Sequence, residues 1–570
     1  MVAGSKPTGL MCLTREHGLV VFDLKEYDAE IENRQNDIYA AIHRKLLGYK
    51  TLRSGRDLAL KIQIVTFTPG HESERSRDED VVVAYPSTLI QMLEEFPPIS
   101  IDIFRSLNAA IERVTTIKPP RKRFSVTKAD SMGAKLKEIE KQIANLDHWQ
   151  KRAAIESPDG PQRIRGLAGS GKTIVLALKA AMLHAMNPQW RIVLTFNTRS
   201  LYQQFKELVR RFTFENINDE PDWEKLQIIH AWGSARQPGI YSEIAKATEF
   251  DPRDFGYAKS KYGHGEAFKG VCAELLENIK KRKTSTYLFD AVLIDEAQDL
   301  PQPFFELVYS ATKDPKRIVW AYDELQNLGS YSMLPPQELF GTNSQGEPNV
   351  MSLENEIGRA SQDLVLPVCY RNTPWALTVA HALGLGIYRQ EGLVQYFEDQ
   401  GLWEEIGYET VQGKAEAGHH VVLKRKPEST PTYFADLLKP DDAVVVKRFE
   451  TIEDQMSWVT KSIANNLTED ELEIDDILVV IPEPRSVGLD AAKLIPLLEK
   501  NNISSHIVGI TTSLDMVFDS ESLAITGIFR AKGNEAPMVY ILNSEFCAEG
   551  SELSRLRNIY LRPLPALEHG

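Results

Sequence analysis

The chain is poor in cysteine and has no long apolar run. Its four cysteines, Cys12, Cys272, Cys369 and Cys547, are far apart and form no C-x-x-C pair. This spacing argues against a disulfide framework and against a cysteine zinc site. No stretch of about eighteen apolar residues is present, which is the length that a membrane-spanning helix needs. The first residues also lack the basic-then-apolar order of a secretion signal. We therefore expect a cytoplasmic protein without a membrane partner.

Positive charge is also scarce. The chain has 66 Lys and Arg against 80 Asp and Glu, a formal net charge of −14. Since an acidic surface repels phosphates, any nucleic acid must lie in a locally basic groove with aromatic side chains for stacking. The basic stretch RSLYQQFKELVRRF at 199–212 is equally typical of a phosphate track and of a solvated helix face. The stretch KPPRKRF at 118–124 is typical of a linker, because Pro119 and Pro120 break a helix.

Residues 166–173 read GLAGSGKT, at the end of the segment RIRGLAGSGKT. In the spacing G-x-x-x-x-G-K-T, backbone amides surround phosphates, the lysine ammonium reaches the terminal ones and the hydroxyl binds Mg²⁺. A glycine-rich turn can also cap an ordinary helix, so this segment needs a second motif to support it. The residues that we expect at the phosphates or the cation are Gly166, Gly169, Ser170, Gly171, Lys172 and Thr173.

The second motif is DAVLIDEAQD at residues 290–299, an apolar strand that ends in two carboxylates. We expect Asp295 to hold Mg²⁺, usually through water, and Glu296 to orient and deprotonate the attacking water. The two segments together predict a site for hydrolysis of a nucleoside triphosphate. We expect Lys172 and Glu296 to be catalytic.

The sequence DEAQD resembles the Walker B box of superfamily 1 helicases of the UvrD/Rep type. In that family the glutamine couples the γ-phosphate to the nucleic-acid site, which implies a relay role for Gln298. Further segments resemble the family's motifs, in the family's order, across residues 146–535. The resemblance implies ATP and Mg²⁺ as cofactors and single-stranded or partly duplex DNA as the partner, with RNA not excluded. No protein partner is implied.

Three of these segments precede the carboxylate motif. LDHWQKRAAI at 146–155 resembles the Q motif, which implies that Gln150 reads the adenine edge. VLTFNTRSL at 193–201 resembles the segment that lines the single-strand channel, with Phe196 and Asn197 facing the nucleic acid. IIHAWGS resembles the next strand-contacting motif and implies that His230 and Trp232 touch the strand.

Three more follow it. WAYDELQNL at 320–328 resembles the GDxxQ segment and places Asp323 and Gln326 near the nucleotide, although Ala321 and Tyr322 depart from the pattern. LPVCYRN at 366–372 resembles the YR motif: it implies that Tyr370 stacks on adenine and that Arg371 touches the γ-phosphate. TGIFRAKGNEA at 526–536 resembles TIHRAKGLE, with Phe529 and Asn534 as departures. This match implies that Glu535 binds the nucleotide and that Lys532 binds nucleic acid.

The first part of the chain resembles the PD-(D/E)XK nuclease fold of the RecB-like or NERD-like kind. The strand GLVVFDLKEY at 18–27 carries Asp23-x-Lys25, and Gln35 and Tyr39 stand in the family's Q-x-x-x-Y relation. In such sites carboxylates hold a metal and the lysine helps to polarise water. A half-buried strand with solvated charges at its tip is the alternative. Because Thr8 stands where the family has an aspartate, we expect an incomplete, inactive module that still offers a docking surface.

We therefore predict an α/β protein with two RecA-like P-loop NTPase lobes, each with a parallel sheet, behind a restriction-endonuclease-like α/β module. Arg371 and Glu535 lie far beyond Lys172 in the chain, so a complete pocket requires two lobes to meet across ATP. The predicted domains are a nuclease-like module at 1–117, a linker at 118–130, a first lobe at 131–360 with an insertion at about 200–288, and a second lobe at 361–570 with a small insertion at about 378–440.

The final residues depart from the family. Its motif LFTALTRAR, which supplies an arginine to the γ-phosphate, is replaced by IYLRPLPALEHG. A permitted codon choice for this tail reads FTALTRARAWV in a neighbouring frame, which suggests a single-base deletion ahead of Tyr560.

An ATP-dependent DNA helicase or translocase is the expected function. The alternatives are a nucleotide-dependent binding module with impaired hydrolysis, since loss of such an arginine costs roughly 10³ to 10⁵ in rate, and an ATP-dependent nuclease.

Overall fold

The fold is mixed α/β, as seen in a computed structural model. The structure describes residues 9–24, 31–46, 52–54, 57–69, 77–78, 81–100, 103–104, 107, 123, 126–143, 146–198, 201–217, 219–233, 237–282, 287–323, 333–356, 358–394, 400–414, 416, 418–512, 517–531 and 536–548. Contacts divide the chain into two units, residues 1–116 with 213–219, and residues 117–212 with 220–570. Across these described ranges, no helix combines the length and apolarity needed to cross a membrane.

The first unit is built on a mixed five-stranded sheet in the order β1-β2-β5-β7-β6. Its strands are β1 Gly9–Thr14, β2 Gly18–Asp23, β5 Ile62–Phe67, β6 Arg77–Asp78 and β7 Val81–Ala84, with a separate pair β3 Arg53–Ser54 and β4 Asp57–Leu58. Helix α1 (Ile31–Leu46) packs Ile38 and Ile42 against Leu19 and Ile64 of the sheet, and a short α2 spans Leu89–Glu94. The strand predicted at 18–27 is present as β2, which ends at Asp23, whereas the nuclease resemblance stays a prediction.

The second unit contains a parallel six-stranded sheet in the order β10-β9-β11-β12-β8-β13. Its strands are β8 Gln162–Gly166, β9 Ile192–Phe196, β10 Leu226–His230, β11 Phe289–Ile294, β12 Thr312–Tyr322 and β13 Asp363–Leu366. Such a sheet requires apolar cover on both faces, which explains why the sequences of β9 (IVLTF) and β11 (FDAVLI) are largely apolar. One apolar core lies around Ile174 and Phe205, and another around Leu275 and Phe304.

Sixteen α-helices follow α2 in the described part of the chain, and the last residues of α6, 213–217, belong to the first unit. In chain order they are α3 Met132–Ile143, α4 His148–Ile155, α5 Lys172–Met186, α6 Leu201–Ile217, α7 Ile240–Ala247, α8 Phe255–Tyr262, α9 Ala267–Arg282, α10 Gln302–Ala311, α11 Pro336–Leu339, α12 Pro374–Leu385, α13 Gln400–Glu405, α14 Tyr433–Leu437, α15 Pro440–Ala443, α16 Ile452–Thr468, α17 Val487–Lys500 and α18 Ile528–Ala531. A hairpin of β14 (Tyr408–Gly413) and β15 (Val421–Arg425) lies in the predicted small insertion.

A second parallel sheet follows in the order β17-β18-β16-β19. Its strands are β16 Ile477–Ile481, β17 Ser505–Ile507, β18 Leu523–Gly527 and β19 Met538–Ile541. Helices α16 and α17 pack Val459, Ile463 and Leu494 into the core of this sheet. Strand β16 (ILVVI) is wholly buried, and β19 (MVYI) is buried at its first three positions.

The structure differs from the predicted division of the second unit at strand β13. This strand pairs in parallel with β8, from Asp363 opposite Arg163 to Leu366 opposite Gly166. Residues 363–366 therefore extend the six-stranded sheet, although they fall in the segment predicted as the second lobe. The carboxylate of Asp363 explains the pairing, because it accepts hydrogen bonds from the guanidinium groups of Arg163 (2.5 Å) and Arg165 (2.9 Å).

Helix α3 is the second difference from the predicted division. This helix falls in the segment predicted as the first lobe, but its residues Met132, Leu136 and Ile139 pack into the core of the four-stranded sheet. Leu146, three residues after the last residue of α3, is buried in the core of the six-stranded sheet. Hydrophobic periodicity predicts a helix but does not say which core it joins. The chain therefore passes from one core to the other between Ile143 and Leu146.

Glu471 anchors the segment before α3 to the four-stranded sheet. Its carboxylate accepts hydrogen bonds from the backbone N–H groups of Thr127 (3.0 Å) and Lys128 (3.0 Å) and from the hydroxyl of Ser131 (2.8 Å). The hydrogen bond from the Thr127 hydroxyl is the main cause that lowers the pKa of Glu471 to about 2. A Cβ at Gly133 would lie 2.4 Å from the carbonyl oxygen of Glu471, so the backbones meet too closely for a side chain there.

Arg123 supplies a second anchor within the predicted linker. Its buried guanidinium donates to Asp476 at 2.8 Å, ahead of β16, and to Glu140 of α3 at 2.7 Å. Bidentate pairs of this kind fix geometry as well as charge. At least the part of the linker that includes Arg123, Thr127 and Lys128 is therefore bound to the four-stranded sheet.

Candidate nucleotide-binding site

The glycine-rich segment forms a tight loop between strand β8 and helix α5. Gly169 and Gly171 adopt φ angles of +78° and +89°, a region that favours glycine. A Cβ at Gly171 would lie 2.4 Å from Nε2 of Gln150, and one at Gly169 would lie 3.1 Å from Cβ of Arg371. The loop leads into the N-terminus of a 15-residue helix, where free N–H groups and the helix dipole favour an anion.

Lys172, the first residue of α5, turns its ammonium back onto this loop. Its Nζ donates to the carbonyl oxygens of Gly166 (2.7 Å) and Leu167 (2.9 Å). The side chain is 7% exposed, so these carbonyls provide its main polar surroundings among the contacts described. The predicted contact of this ammonium with a terminal phosphate stays a prediction.

Asp295 lies directly after β11 and faces the first turn of α5. The hydroxyl of Thr173 donates to its Oδ2 at 2.8 Å, and the N–H of Glu296 donates to its Oδ1 at 3.0 Å. Burial, followed by the neighbouring charge of Glu296, raises the pKa of Asp295 to about 6. A hydroxyl and a carboxylate side by side are hard oxygen ligands of the kind that Mg²⁺ prefers. The donor set therefore fits the predicted cation.

Gln298 connects the carboxylate motif with the neighbouring strand. Its Nε2 donates to Oε2 of Glu296 at 2.6 Å, and its Oε1 accepts from the N–H of Asp323 at 3.3 Å. Asp323 follows β12, the strand that lies between β8 and β11 in the sheet. The amide thus joins the residue expected to activate water to the end of a second strand, and its role as a relay stays a prediction.

Gln150 contacts the glycine-rich loop at residues 166–173, which we call the phosphate loop after its predicted ligand. It is the third residue of α4, where Asp147 caps the helix by accepting from the N–H of Gln150 at 2.7 Å. The Gln150 side chain accepts from the N–H of Asp147 at 3.2 Å and donates to the carbonyl of Ser170 at 2.9 Å. Both ends of its amide therefore bind the protein, and the expected contact with adenine stays a prediction.

Tyr370 and Arg371 approach the loop from the opposite side. The N–H of Tyr370 donates to the carbonyl of Gly169 at 3.0 Å, and its hydroxyl donates to the carboxylate of Asp147. Burial lowers the pKa of the Arg371 guanidinium. The structure thus brings the predicted Q and YR motifs together around Gly166–Thr173, as an ATP site requires.

Two residues of this region were not predicted. Asp147 links the two sides of the loop, and the hydroxyl of Tyr433 donates to the backbone carbonyl of Tyr370 at 2.8 Å. The pattern D-x-x-Q ahead of an apolar run is a capping-box signal that could have identified Asp147. No local signal identifies Tyr433, because it reaches Tyr370 across 63 positions of sequence.

The candidate nucleic-acid residues lie at the ends of the neighbouring strands β9 and β10. Nε2 of His230 and the carbonyl oxygen of Asn197 are 2.5 Å apart. The Trp232 ring stacks on Phe268, with centroids 4.9 Å apart, and its Nε1 donates to the carbonyl of Arg253 at 3.0 Å. Asn197, His230 and Trp232 are therefore held by contacts within the protein, and strand contact by them stays a prediction.

Phe196 differs from its predicted role. Its side chain is 1% exposed and stacks on Phe205 of α6, with ring centroids 5.5 Å apart. A base cannot stack on a ring that is covered in this way. Phe196 is the last residue of the inner strand β9, and its ring is part of the apolar core. The ring therefore contributes to packing within the protein.

Several predicted residues lie outside the described part of the chain. They are Lys25 and Thr8 of the first unit, Gln326, the segment with Lys532, Gly533 and Glu535, and the whole tail at 549–570.

In the first unit, Asp23 is fully buried at the end of β2. Its Oδ2 accepts from Nε of Arg34 at 3.0 Å and from the hydroxyl of Thr66 at 3.3 Å. Gln35 donates to the same hydroxyl at 3.0 Å, while Tyr39 is 41% exposed and stacks on His43. Among the described residues, no group of three or more His, Cys, Asp or Glu side chains could hold a metal.

The comparisons with known proteins leave the family open. No protein-family description and no curated protein matches the chain. Among solved structures, it is similar to a Saccharomyces cerevisiae Dbp5 variant bound to RNA and ADP BeF3. The identity is 11% and the TM-score 0.32, over 76% of this chain and 86% of that chain. A similarity of this size carries no argument about activity, which has to come from the geometry of the site.

Proposed function

We propose that the chain is an ATP-dependent motor on nucleic acid, a helicase or translocase of the superfamily 1 UvrD-like type that acts on single-stranded DNA. The supporting observation is the connected set Thr173, Asp295, Glu296, Gln298 and Asp323. It joins the first turn after the phosphate loop to the ends of two adjacent strands through hydrogen bonds of 2.8, 3.0, 2.6 and 3.3 Å.

In the proposed reaction, this set and the neighbouring phosphate loop have separate chemical roles. Lys172 and the amides of the loop bind the phosphates, and Thr173 and Asp295 would hold Mg²⁺, which neutralises phosphate charge when bound. Glu296 orients the attacking water and accepts its proton. Through its two hydrogen bonds, Gln298 couples the position of the Glu296 carboxylate to Asp323 and therefore to the end of β12.

The arrangement of two parallel sheets suits a motor. The phosphate loop and Glu296 lie at the six-stranded sheet, whereas helix α3, which leads into the Q motif, packs on the four-stranded sheet. A change at the phosphates can therefore alter the relation between two cores, which is how closing and opening of a cleft move a motor along a strand.

Two substitutions test the proposal. Lys172→Ala removes the ammonium and should weaken ATP binding. Glu296→Gln should keep binding and lower turnover by about 10²-fold or more, since loss of a general base costs roughly that factor. The exposed Glu347→Gln is the control and should change neither.

The readouts are binding of a fluorescent ATP analogue and phosphate release with single-stranded DNA, single-stranded RNA or no polymer. Stimulation by DNA together with loss of turnover in Glu296→Gln is the expected result. Equal ATP affinity in the wild type and Lys172→Ala would overturn the nucleotide site, and stimulation by RNA alone would overturn the choice of DNA.

A further inference from the structure

We propose that Asp147 is a positioning residue of the nucleotide site. Its carboxylate holds Gln150 and Tyr370 in place on the two sides of the phosphate loop, so that the Tyr370 ring is presented to a purine base. The inference rests on the proposed function, because it assigns a role in nucleotide recognition.

The contacts form a closed ring. One oxygen of Asp147 accepts from the N–H of Gln150 at 2.7 Å, and the other accepts from the hydroxyl of Tyr370. Gln150 then donates to Ser170 at 2.9 Å, and Tyr370 donates to Gly169 at 3.0 Å. The ring therefore passes through two consecutive carbonyls of the loop and closes through the Asp147 carboxylate.

The loop is closely packed on two sides, by Gln150 of α4 and by the segment 369–371. The glycine at 171 leaves no room for a Cβ beside the Gln150 amide (2.4 Å), and a Cβ at Gly169 would meet Sγ of Cys369 at 3.1 Å. Cys369 also donates from Sγ to the carbonyl of Ala168 at 2.9 Å. The loop lies between α4 and the segment 369–371, and a change in the spacing of these two segments must displace it.

The chemistry of the Tyr370 contact suits a fixed ring. Burial, and then the hydrogen bond to Asp147, raises the pKa of the Tyr370 phenol, so the hydroxyl stays protonated and can donate. A donor facing a carboxylate makes a stronger and more directional bond than a neutral pair. Tyr433 fixes the other end of the residue by donating to its carbonyl at 2.8 Å. The ring is thus restrained at both ends beside the loop.

The test removes each side of the contact separately. Tyr370→Phe deletes only the hydroxyl, and Asp147→Ser retains a helix-capping oxygen that is too short to reach Tyr370. Each variant should raise the KM for ATP about tenfold and leave kcat within about twofold, and the double variant should match the single variants. Asp254→Ser is the matched control, because Asp254 caps α8 in the same way, through the N–H of Tyr257 at 2.8 Å.

Additive effects, or a fall in kcat with an unchanged KM, would overturn the inference. Hydrogen exchange on nucleotide-free protein separates this outcome from failure of the proposed function. In both single variants, peptides covering 166–173 and 366–372 should exchange faster than in the wild type and in Asp254→Ser. Unchanged exchange in these peptides would show that Asp147 does not hold the loop, whether or not the chain hydrolyses ATP.

Discussion

The hydroxyl of Thr173 and the carboxylate of Asp295 are 2.8 Å apart although 122 positions separate them in the sequence. Strand β12 lies between β8, which leads through the glycine-rich loop to Thr173, and β11, which ends just before Asp295. All three strands are parallel, so their carboxyl ends meet at one edge of the sheet. Burial, followed by the neighbouring charge of Glu296, favours the protonated form of Asp295 and raises its pKa to about 6, although the hydrogen bond from Thr173 acts in the opposite direction. A divalent cation bound at this pair would restore the ionised form.

The first prediction compares two glycines with similar backbone geometry. Gly171 and Gly346 have φ angles of +89° and +85°, but a Cβ at Gly346 would meet nothing within 4 Å. Alanine at either position carries backbone strain of about 1–2 kcal/mol. Gly171→Ala must also displace Gln150, so its affinity for a labelled ATP analogue should fall at least about tenfold. Gly346→Ala should bind ATP like the wild type, and equal losses in both variants would contradict this explanation.

The second prediction concerns the amide of Gln298. Gln298→Ala removes the donor to Glu296 and the acceptor for the Asp323 N–H. At saturating ATP we expect hydrolysis to fall about tenfold with a nearly unchanged KM, because the lost contacts orient the reacting water and do not bind the nucleotide. The control is Gln302→Ala, since Gln302 makes a comparable bond of 2.7 Å to Glu306. A rise in KM without a fall in turnover would rule out the relay.

The third prediction uses Lys179, which is fully buried in α5. Burial lowers its pKa from 10.5 to about 7. Between these values the unfolded chain binds more protons than the folded chain, so the free energy of unfolding rises with pH from about 7 to 10.5. Below pH 7 the Lys179 ammonium is charged in the folded and in the unfolded state. The folded state then bears the full free-energy cost of burying this charge. Lys179→Met should therefore be more stable than the wild type at pH 6, with the difference shrinking towards pH 10.

Urea unfolding at a series of pH values measures this difference. The exposed Lys259→Met is the control and should follow the wild type at every pH. Parallel curves for Lys179→Met and the wild type would mean that the ammonium remains charged in the folded protein.

The fourth prediction concerns the first unit. Because Arg34 already pairs with Asp23 at 3.0 Å, we expect neither Mg²⁺ nor Mn²⁺ to support cleavage of single-stranded or duplex DNA. The assay is a plasmid-nicking and end-labelled oligonucleotide assay, with Lys172→Ala included to separate any effect of ATP. Robust metal-dependent nicking that disappears in Asp23→Ala would show that the metal ligands were assigned to the wrong positions.

The phosphate loop and the carboxylate strand were predictable because their chemistry is local. The spacing of Gly166, Gly171 and Lys172 fixes a loop and a helix start, and the run before Asp295 fixes a buried strand. Phe196 was assigned to the wrong surroundings for a related reason. An aromatic residue that ends an inner strand satisfies both a stacking pattern and a packing pattern, and only the position of α6 distinguishes them.

The division between the two cores was less predictable. Helix α3 and strand β13 each join the sheet that the chain order does not suggest. The deciding contacts span long stretches of sequence: 344 positions separate Thr127 from Glu471, and 200 separate Arg163 from Asp363. Single-chain patterns contain no information about partners at such distances.

The short passage between Ile143 and Leu146 limits how far the two cores can separate. Ile143 packs with the four-stranded sheet and Leu146 is buried in the other core. Three peptide steps reach at most about 11 Å when fully extended. Arg123, Thr127 and helix α3 are bound to the four-stranded sheet. The connection between the two cores at this point is therefore the step from Ile143 to Leu146, directly before Asp147, which caps α4. Any wider separation of the cores must pull on Leu146 and on Asp147 beside it, and through Asp147 on the glycine-rich loop 166–173.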